Sequence, residues 1–173
     1  MKIYEHKDIN LNLGGGNQKK EGYLNIDILN LPNVDIIHNL EEGIPLKDST
    51  VEEIYSSHFL EHTRNPVFIF EEMYRVSKPN AIVRFKVPYF MSTGAFKDLT
   101  HNSFFTERTF EYFDKSCNKN LPEYKFKANF KVEKISYIWH NKALRLLPFK
   151  KAFFMKHFWN IANTMYVELR VVK

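Results

Sequence analysis

The sequence predicts an α/β sandwich built on a largely parallel β-sheet, and two observations carry this prediction. Short apolar stretches that alternate with polar positions recur along the chain, and helical or turn-forming segments separate them. Two late alternating stretches, Phe130 to Trp139 and Tyr166 to Val172, are joined by a helical excursion, which predicts an antiparallel edge. The 173 residues suit a single domain, 1–173, that can bury a continuous core.

The first part of the chain predicts four strands. Ile9 to Leu13 alternates and runs into three glycines, so it is typical of a strand that ends in a tight turn. Tyr23 to Ile28, Val34 to His38 and Val51 to Ser56 repeat the pattern. The short interval between the first two strands leaves room only for a shortened crossover helix.

The middle of the chain predicts a helix, a strand and a long loop. Asn65 is an N-cap candidate before Pro66 at the first helical position, and the helix runs to Ser77. A fifth strand follows over 81–87. The loop 89–106 is too long for a simple connection and is therefore a functional-loop candidate. Thr106 then begins a helix that continues to Phe113.

Composition excludes several classes of protein. Apolar residues make up 44% of the chain and aromatic residues 16%, which excludes a disordered chain. A lone Cys117 can form neither an internal disulfide nor a cysteine-based zinc site, and it fits a reducing cytoplasm. No stretch approaches the roughly 18 to 20 apolar residues of a membrane span. We therefore expect a soluble, cytoplasmic protein with at most peripheral membrane contact.

The net charge of +5 leaves several partners open. It is compatible with nucleic acid, an anionic membrane surface, an acidic substrate or a merely basic surface. The basic-aromatic helical insertion, about 142–163, is equally ambiguous. It could form an acceptor lid, a homodimer surface, an interfacial helix on anionic lipid or an amphipathic helix packed on the sheet.

The glycine turn after the first strand bears on ligand type. A dinucleotide site needs a third glycine where this chain has Lys19, and an acid about 20 residues on. Here Asp27 follows Gly14 by only 13 positions, and a full crossover helix does not fit between them. A nucleoside that carries an amino acid needs less: a glycine turn under the amino acid and a carboxylate for the ribose hydroxyls. Gly14, Gly16 and Asp27 supply both.

Five segments in this order resemble class I S-adenosylmethionine-dependent methyltransferases, and in particular their small type 11 branch. The segments are LNLGGG, GYLNIDI, DIIHNLEEGIPLKDSTVEEIYSSHFLEH, FEEMYRVSKPNAIVRFKVPYF and DLTHNSFFTERTFEYF. The resemblance implies a Rossmann-like three-layer sandwich whose seven-stranded sheet is mostly parallel with an antiparallel last strand. It also implies S-adenosyl-L-methionine as the cofactor.

The resemblance also assigns cofactor contacts by position. The glycine turn would lie beneath the methionine part, Asp27 would bind the ribose, and the residues after the third strand would contact the adenine. Asn12 and Asn39 stand where relatives often have acids, and an amide can still form hydrogen bonds at both places. The predicted cofactor-binding residues are Asn12, Gly14, Gly15, Gly16, Asp27, Asn39, Leu40, Ser57 and His58.

The loop after the fifth strand carries the candidate catalytic residues. His101 has the pKa range of a base near neutral pH, and Asp98 would orient it. The alternative is that the two only brace the loop. His62, Tyr89 and Phe90 are the candidate substrate-binding residues, and the two aromatic residues could equally belong to the core.

The stretch from His58 to His62 also matches the inverted zinc-protease pattern His-x-x-Glu-His. That pattern needs a long helix carrying both histidines, whereas here a strand runs into it and Asn65-Pro66 restarts the chain. The sequence therefore predicts no metal site.

The favoured function is methyl transfer from S-adenosylmethionine to a small-molecule or glycan acceptor in a cell-surface polysaccharide pathway. A nucleic-acid methyltransferase is an alternative that the basic pI favours, although no Asn-Pro-Pro-Tyr sequence follows the fourth strand. A non-catalytic cofactor-binding partner protein is a third interpretation.

Overall fold

The computed structural model describes residue 4 and residues 8–117, 126–139 and 151–173. One seven-stranded sheet organises them, in the order β3-β2-β1-β4-β5-β7-β6. The strands are β1 (Ile9–Leu13), β2 (Tyr23–Asp27), β3 (Ile36–Ile37), β4 (Val51–Ser57), β5 (Ser77–Pro88), β6 (Phe130–Trp139) and β7 (Ala162–Val171).

The last strand is the one that runs against its neighbours. All pairings from β3 to β5 are parallel, whereas β7 is antiparallel to both β5 and β6. The predicted fold class, a mostly parallel α/β sheet with an antiparallel last strand, is confirmed. Because β7 inserts between β5 and β6, its residues are buried or half-buried along its whole length.

In the described part of the chain, four α-helices and two 3-10 helices connect the strands. The α-helices are α1 (Pro66–Val76), α2 (Thr93–Phe96), α3 (Glu107–Glu111) and α4 (Lys151–His157), and the 3-10 helices are Leu40–Glu42 and Leu60–His62. The Asn65 side chain accepts a hydrogen bond from the Phe68 backbone N–H at 3.1 Å, which confirms the predicted cap of α1.

The first crossover differs from its prediction. Residues 14–22 form turns and contain no helix, whereas a shortened helix was expected. The interval is too short because Gly14 leaves β1 and Tyr23 already begins β2. The third strand is also shorter than predicted, with two residues in place of five. Residues 142–150 of the predicted basic-aromatic insertion lie outside the described residues. The helix α4 lies in the remaining part of that insertion.

An aromatic cluster at the centre of the core ties the helices to the sheet. Phe70 of α1 stacks on Phe113 with 4.3 Å between ring centroids and meets Phe85 of β5 edge-on at 5.8 Å. It also contacts Phe130 of β6 at 5.9 Å. On the opposite face of the sheet, Arg84 pairs with Glu53 and Glu168, and all three side chains are partly exposed.

No helix in the described part of the chain is long and apolar enough to cross a membrane.

Candidate active site

The glycine turn is shaped by two asparagines beneath it. Asn12 of β1 and Asn25 of β2 are buried, and the Asn12 amide donates to Asn25 Oδ1 at 3.1 Å and to the Gln18 carbonyl at 3.0 Å. A Cβ added at Gly15 would lie 2.0 Å from Asn12 Nδ2 and 2.2 Å from Asn25 Oδ1. The close approach of the turn to these side chains therefore requires glycine at this position.

Replacing Gly15 with alanine is expected to destabilise the chain by about 1–3 kcal/mol, because the methyl group must displace the buried Asn12–Asn25 hydrogen bond. Urea unfolding monitored by circular dichroism measures this loss. Gly94→Ala is the matched control, since the nearest neighbour of a Cβ at Gly94 would be Ser92 Oγ at 3.5 Å. An unfolding midpoint for Gly15→Ala equal to that of Gly94→Ala would contradict the packing argument.

A small cavity lies at the carboxyl ends of β1 and β2. It encloses about 170 Å³ and is lined by Gly14, Asp27, Ile28, His38, Asn39, Leu40, Glu41, Phe59, His62 and Thr63. A Cβ built at Gly16, whose φ is +49°, would find no atom within 4 Å, so the turn faces open space at this residue. The aromatic ring of Phe59 packs directly on Gly14.

Asp27 is held at the edge of this cavity by two backbone donors. Its Oδ2 accepts the Gly16 N–H at 2.8 Å and its Oδ1 accepts the Leu29 N–H at 2.9 Å. A carboxylate oxygen has two lone pairs, so each oxygen keeps one acceptor position for a further donor. Asp27 is therefore fixed in orientation and can still bind a vicinal diol, which is the feature that a ribose offers.

The predicted cofactor residues divide into those that line this cavity and those that do not. Asn39 and Leu40 line it, with Asn39 capping the 3-10 helix Leu40–Glu42 through the Glu41 N–H. Asn12 is buried beneath the turn, and Ser57 lines neither of the two cavities described here. His58 lines the second cavity.

The second, larger cavity lies beside the first and shares His62 with it. It encloses about 650 Å³, and most of the residues that line it have polar side chains: His58, Glu61, His62, Pro88, Thr93, Gly94, Lys97, Asp98, His101, Asn160, Asn163 and Thr164. The first cavity is smaller than a typical ligand site and the second falls within the usual range of about 300–1,000 Å³. We call the first the cofactor cavity and the second the acceptor cavity, after the roles that the sequence resemblance predicts for their residues.

The walls of the acceptor cavity come from distant parts of the chain. The Glu61 carbonyl accepts the Asn102 N–H at 2.7 Å and the Ser103 N–H at 3.2 Å, which holds the loop after β5 on the 3-10 helix after β4. On the other side, the Asn160 amide donates to Thr93 Oγ1 at 2.6 Å. The described end of the basic-aromatic segment therefore forms one wall of this cavity.

The structure brings His101 and Asp98 into the acceptor cavity but does not pair them. His101 Nδ1 donates to the Ala95 carbonyl at 2.8 Å. Asp98 Oδ1 instead accepts the Thr100 N–H at 2.9 Å and the Thr100 hydroxyl at 2.7 Å. These hydrogen bonds hold the pKa of Asp98 below its usual range. The expected Asp98–His101 pair is corrected because the aspartate folds back on its own turn.

Tyr89 and Phe90 lie in or against the core and line neither of the two cavities. Tyr89 is buried, because its backbone bridges to Phe105 and its ring packs on Tyr137. Burial and the neighbouring Glu107 raise the pKa of the Tyr89 hydroxyl far above its ordinary value. Both residues thus pack as in the core alternative that the sequence left open, and their role in binding an acceptor stays a prediction.

Sequence reasoning missed several residues of both cavities. Ile28 follows the strand-end acid and is 62% exposed in the cofactor cavity, and its position directly after Asp27 was an available signal. Glu61 was seen only as part of a protease-like pattern. Asn160 and Asn163 gave no signal, because nothing local indicates that β7 begins beside the end of β5.

Comparison with known proteins identifies the fold. A family model described as a methyltransferase domain, of the type 11 group, matches residues 17–85. No curated protein sequence matches the chain. The crystal structure of an S-adenosylmethionine-dependent methyltransferase from Archaeoglobus fulgidus is similar with a TM-score of 0.61 at 15% identity, covering 95% of this chain and 86% of that one.

Two further structures share the fold. A complex between the Trm112 methyltransferase activator of Haloferax volcanii and a methyltransferase has a TM-score of 0.62 at 12% identity, covering 98% and 84% of the two chains. The [4+2]-cyclase SpnF has a TM-score of 0.61 at 12% identity, covering 99% and 78%. The chain therefore has the class I methyltransferase fold, and residues 17–85 match the methyltransferase-domain model, which indicates S-adenosyl-L-methionine as the cofactor.

Proposed function

We propose that this protein transfers a methyl group from S-adenosylmethionine to a small-molecule or glycan acceptor, within a cell-surface polysaccharide pathway in the cytoplasm. The observation that carries the proposal is the pair of adjoining cavities that share His62. One has a fixed carboxylate suited to a ribose, and the other has the size and the polar lining of a site for a hydroxylated molecule.

The residues of the cofactor cavity suit the nucleoside part of the cofactor. Asp27 would accept the two ribose hydroxyls, Ile28 would pack on the adenine, and Asn39 would hydrogen-bond to its edge. The open space at Gly16 leaves room for the amino-acid part beside the turn. When bound, the cofactor supplies a methyl group already activated on a sulfonium, so the protein has to position the acceptor and manage its proton.

The proton of a hydroxyl acceptor can be taken by His101. Its Nδ1 carries hydrogen because the partner is a carbonyl, which can only accept. The neutral ring therefore has its lone pair on Nε2, and His101 lines the acceptor cavity. The Ala95 carbonyl thus has the role that was expected of the Asp98 carboxylate, because it selects the tautomer of His101 and holds the imidazole ring in place.

The lining of the acceptor cavity favours a sugar-like acceptor over a nucleic acid. Glu61 and Asp98 place two carboxylates there against one lysine, Lys97, which is unfavourable for a phosphodiester backbone. Beside the cavity, Phe96 stacks on Phe104 at 4.6 Å and meets Trp159 at 5.7 Å. These three rings are about half exposed. A pyranose has hydroxyls around its edge and C–H groups on its face, which matches a polar cavity beside an aromatic surface.

Transfer of a radiolabelled methyl group from S-adenosylmethionine to a panel of mono- and disaccharides and to total RNA tests this proposal. We expect label in at least one saccharide and none in RNA. Methyl transfer has to be measured directly, because a protein with this fold is described as a [4+2]-cyclase. Label in RNA alone would favour the nucleic-acid alternative, and cofactor binding without transfer to either class would favour a non-catalytic partner.

Replacing His101 with glutamine is expected to lower kcat for a hydroxyl acceptor by about 100-fold, because glutamine cannot take the proton. The dissociation constant for the cofactor should stay unchanged, since His101 does not line the cofactor cavity. Steady-state kinetics and calorimetry measure the two quantities. His157→Ala is the control, as His157 is exposed on α4 and lines neither cavity. Full kcat in His101→Gln would remove the base assignment.

A further inference from the structure

Three side chains of metal-ligand type meet in the acceptor cavity. A ring nitrogen of His62, a ring nitrogen of His101 and a carboxylate oxygen of Glu61 all lie within 4.8 Å of one another. The two imidazole rings are in edge contact, with 4.8 Å between their centroids. Two histidines and one carboxylate form a donor set that binds Zn²⁺ or Fe²⁺ with positions left open for other ligands.

Both histidines are already in the tautomer that metal binding needs. His101 Nδ1–H donates to the Ala95 carbonyl, which leaves Nε2 unprotonated. For His62 the direction of the hydrogen bond follows from Asp98. The lowered pKa of Asp98 keeps its carboxylate ionised, and an ionised carboxylate can only accept hydrogen bonds. Asp98 takes the Thr100 hydroxyl hydrogen at 2.7 Å, so Thr100 Oγ1 accepts the His62 Nδ1–H at 2.9 Å.

These outer contacts are those that commonly surround bound metals. Histidine ligands usually donate their other N–H to a carbonyl, a carboxylate or a water, and this contact fixes the ring. Here one histidine has a carbonyl and the other reaches a carboxylate through one hydroxyl. Among the described residues, neither Nε2 has a hydrogen-bond partner.

The buried carboxylate of Glu61 supports a ligand site independently of the two histidines. Its side chain is 1% exposed, and Oε1 accepts a hydrogen bond from His58 Nδ1 at 2.9 Å. Oε2 is buried and has no hydrogen-bond partner in the described part of the chain. A buried carboxylate oxygen without a protein partner is unfavourable, so Oε2 is available to a further ligand.

We propose that Glu61, His62 and His101 bind a divalent transition-metal ion, with Zn²⁺ as the reference ion. Bonds of about 2.0–2.2 Å would place neighbouring ligand atoms roughly 3–3.5 Å apart in tetrahedral geometry. The ligands therefore have to close in from the present spread of up to 4.8 Å, a change that rotations of the side chains can supply. Mg²⁺ prefers oxygen ligands and should bind more weakly.

The metal site changes the chemistry of the acceptor cavity. A Zn²⁺ ion held by these residues would lower the pKa of an acceptor hydroxyl that binds to it, so that the proton could pass to solvent water. His101 cannot ligate the ion and take a proton at the same nitrogen. With metal bound, His101 would be a ligand, so the general-base role proposed above and the His101→Gln prediction apply to the metal-free chain. This consequence rests on the proposed function, whereas the binding of the ion rests only on the geometry.

Calorimetric titration of the chelator-treated full chain with ZnCl₂ and with MgCl₂ tests the site. We expect one Zn²⁺ per chain and at least about tenfold weaker Mg²⁺ binding. Glu61→Gln and His101→Ala should each weaken Zn²⁺ binding at least about tenfold, and Thr100→Val should weaken it measurably through His62. His157→Ala should bind as the wild type does. Circular dichroism confirms that each variant is folded.

Two results would overturn the inference. One is a wild-type chain that binds no Zn²⁺ at roughly 100 µM. The other is undiminished binding in both folded variants, Glu61→Gln and His101→Ala. Titration of the same samples with S-adenosylmethionine separates this inference from the proposed function. Cofactor binding without zinc binding rejects only the metal site, and zinc binding without cofactor binding rejects only the methyltransferase proposal.

Discussion

Replacing Asp27 with alanine is expected to weaken S-adenosylmethionine binding by at least about 100-fold. Hydrogen bonds to a charged acceptor contribute about 1.5–3 kcal/mol each. The variant would lose two of them, one from each ribose hydroxyl to the Asp27 carboxylate. The Gly16 and Leu29 N–H groups also lose the carboxylate that now accepts them at 2.8 and 2.9 Å. The glycine turn should therefore become less ordered in the same variant. Calorimetry with the cofactor measures the loss.

The Asp27 prediction has a graded and a matched control. Asp27→Asn keeps one oxygen acceptor, so its affinity should fall between those of the wild type and Asp27→Ala. Asp114→Ala removes another buried carboxylate, one that accepts the Ser116 N–H and hydroxyl and lines neither cavity. It should keep full cofactor affinity. Wild-type affinity in folded Asp27→Ala would reject the ribose assignment.

Replacing Phe70 with alanine is expected to destabilise the chain by about 3–5 kcal/mol, the usual range for a buried phenylalanine in a core. Its side chain is 1% exposed, and its ring joins α1 to Phe85 on β5, Phe130 on β6 and Phe113 after α3. Because these elements are distant in sequence, no local rearrangement can fill the cavity. Urea unfolding by circular dichroism and tryptophan fluorescence measures the change.

Phe153→Ala is the control for Phe70. Phe153 lies on α4, is 51% exposed and contacts only aromatic neighbours of its own segment among the ring contacts described. Its replacement should change the free energy of unfolding by less than about 1 kcal/mol. Equal losses for the two variants would show that the aromatic cluster is not the centre of the core.

Most strands could be predicted from the sequence, because alternation of apolar and polar residues is a local signal. β6 has the predicted bounds, and α1 begins at Pro66 as its cap indicated. The weaker predictions were those where the chain gives little local signal. The turn-rich stretch 14–22 lacks a helix because its length leaves no room for one, and β3 keeps only two paired residues.

The candidate site divides in the same way. Gly14 and Asp27 were predicted to lie together, because the carboxyl ends of neighbouring parallel strands meet at one edge of a sheet. The partner of His101 could not be predicted, since Asp98, three residues away, was the nearest carboxylate in sequence. The structure turns Asp98 towards Thr100 and His62 and leaves His101 to the Ala95 carbonyl.

The sequence by itself determined the order of the strands along the chain, the cap of the main helix and the glycine–acid pair at the cofactor edge. Each of these features depends on residues that are near one another in sequence, or on the rule that the carboxyl ends of neighbouring parallel strands meet at one edge of a sheet. Only the tertiary structure decided what the Glu61-His62 pair faces. Hydrogen bonds from Asn102 and Ser103 to the Glu61 carbonyl bring His101 within 4.8 Å of that pair. Contacts across some 40 residues depend on how loops pack, and no local pattern encodes that packing.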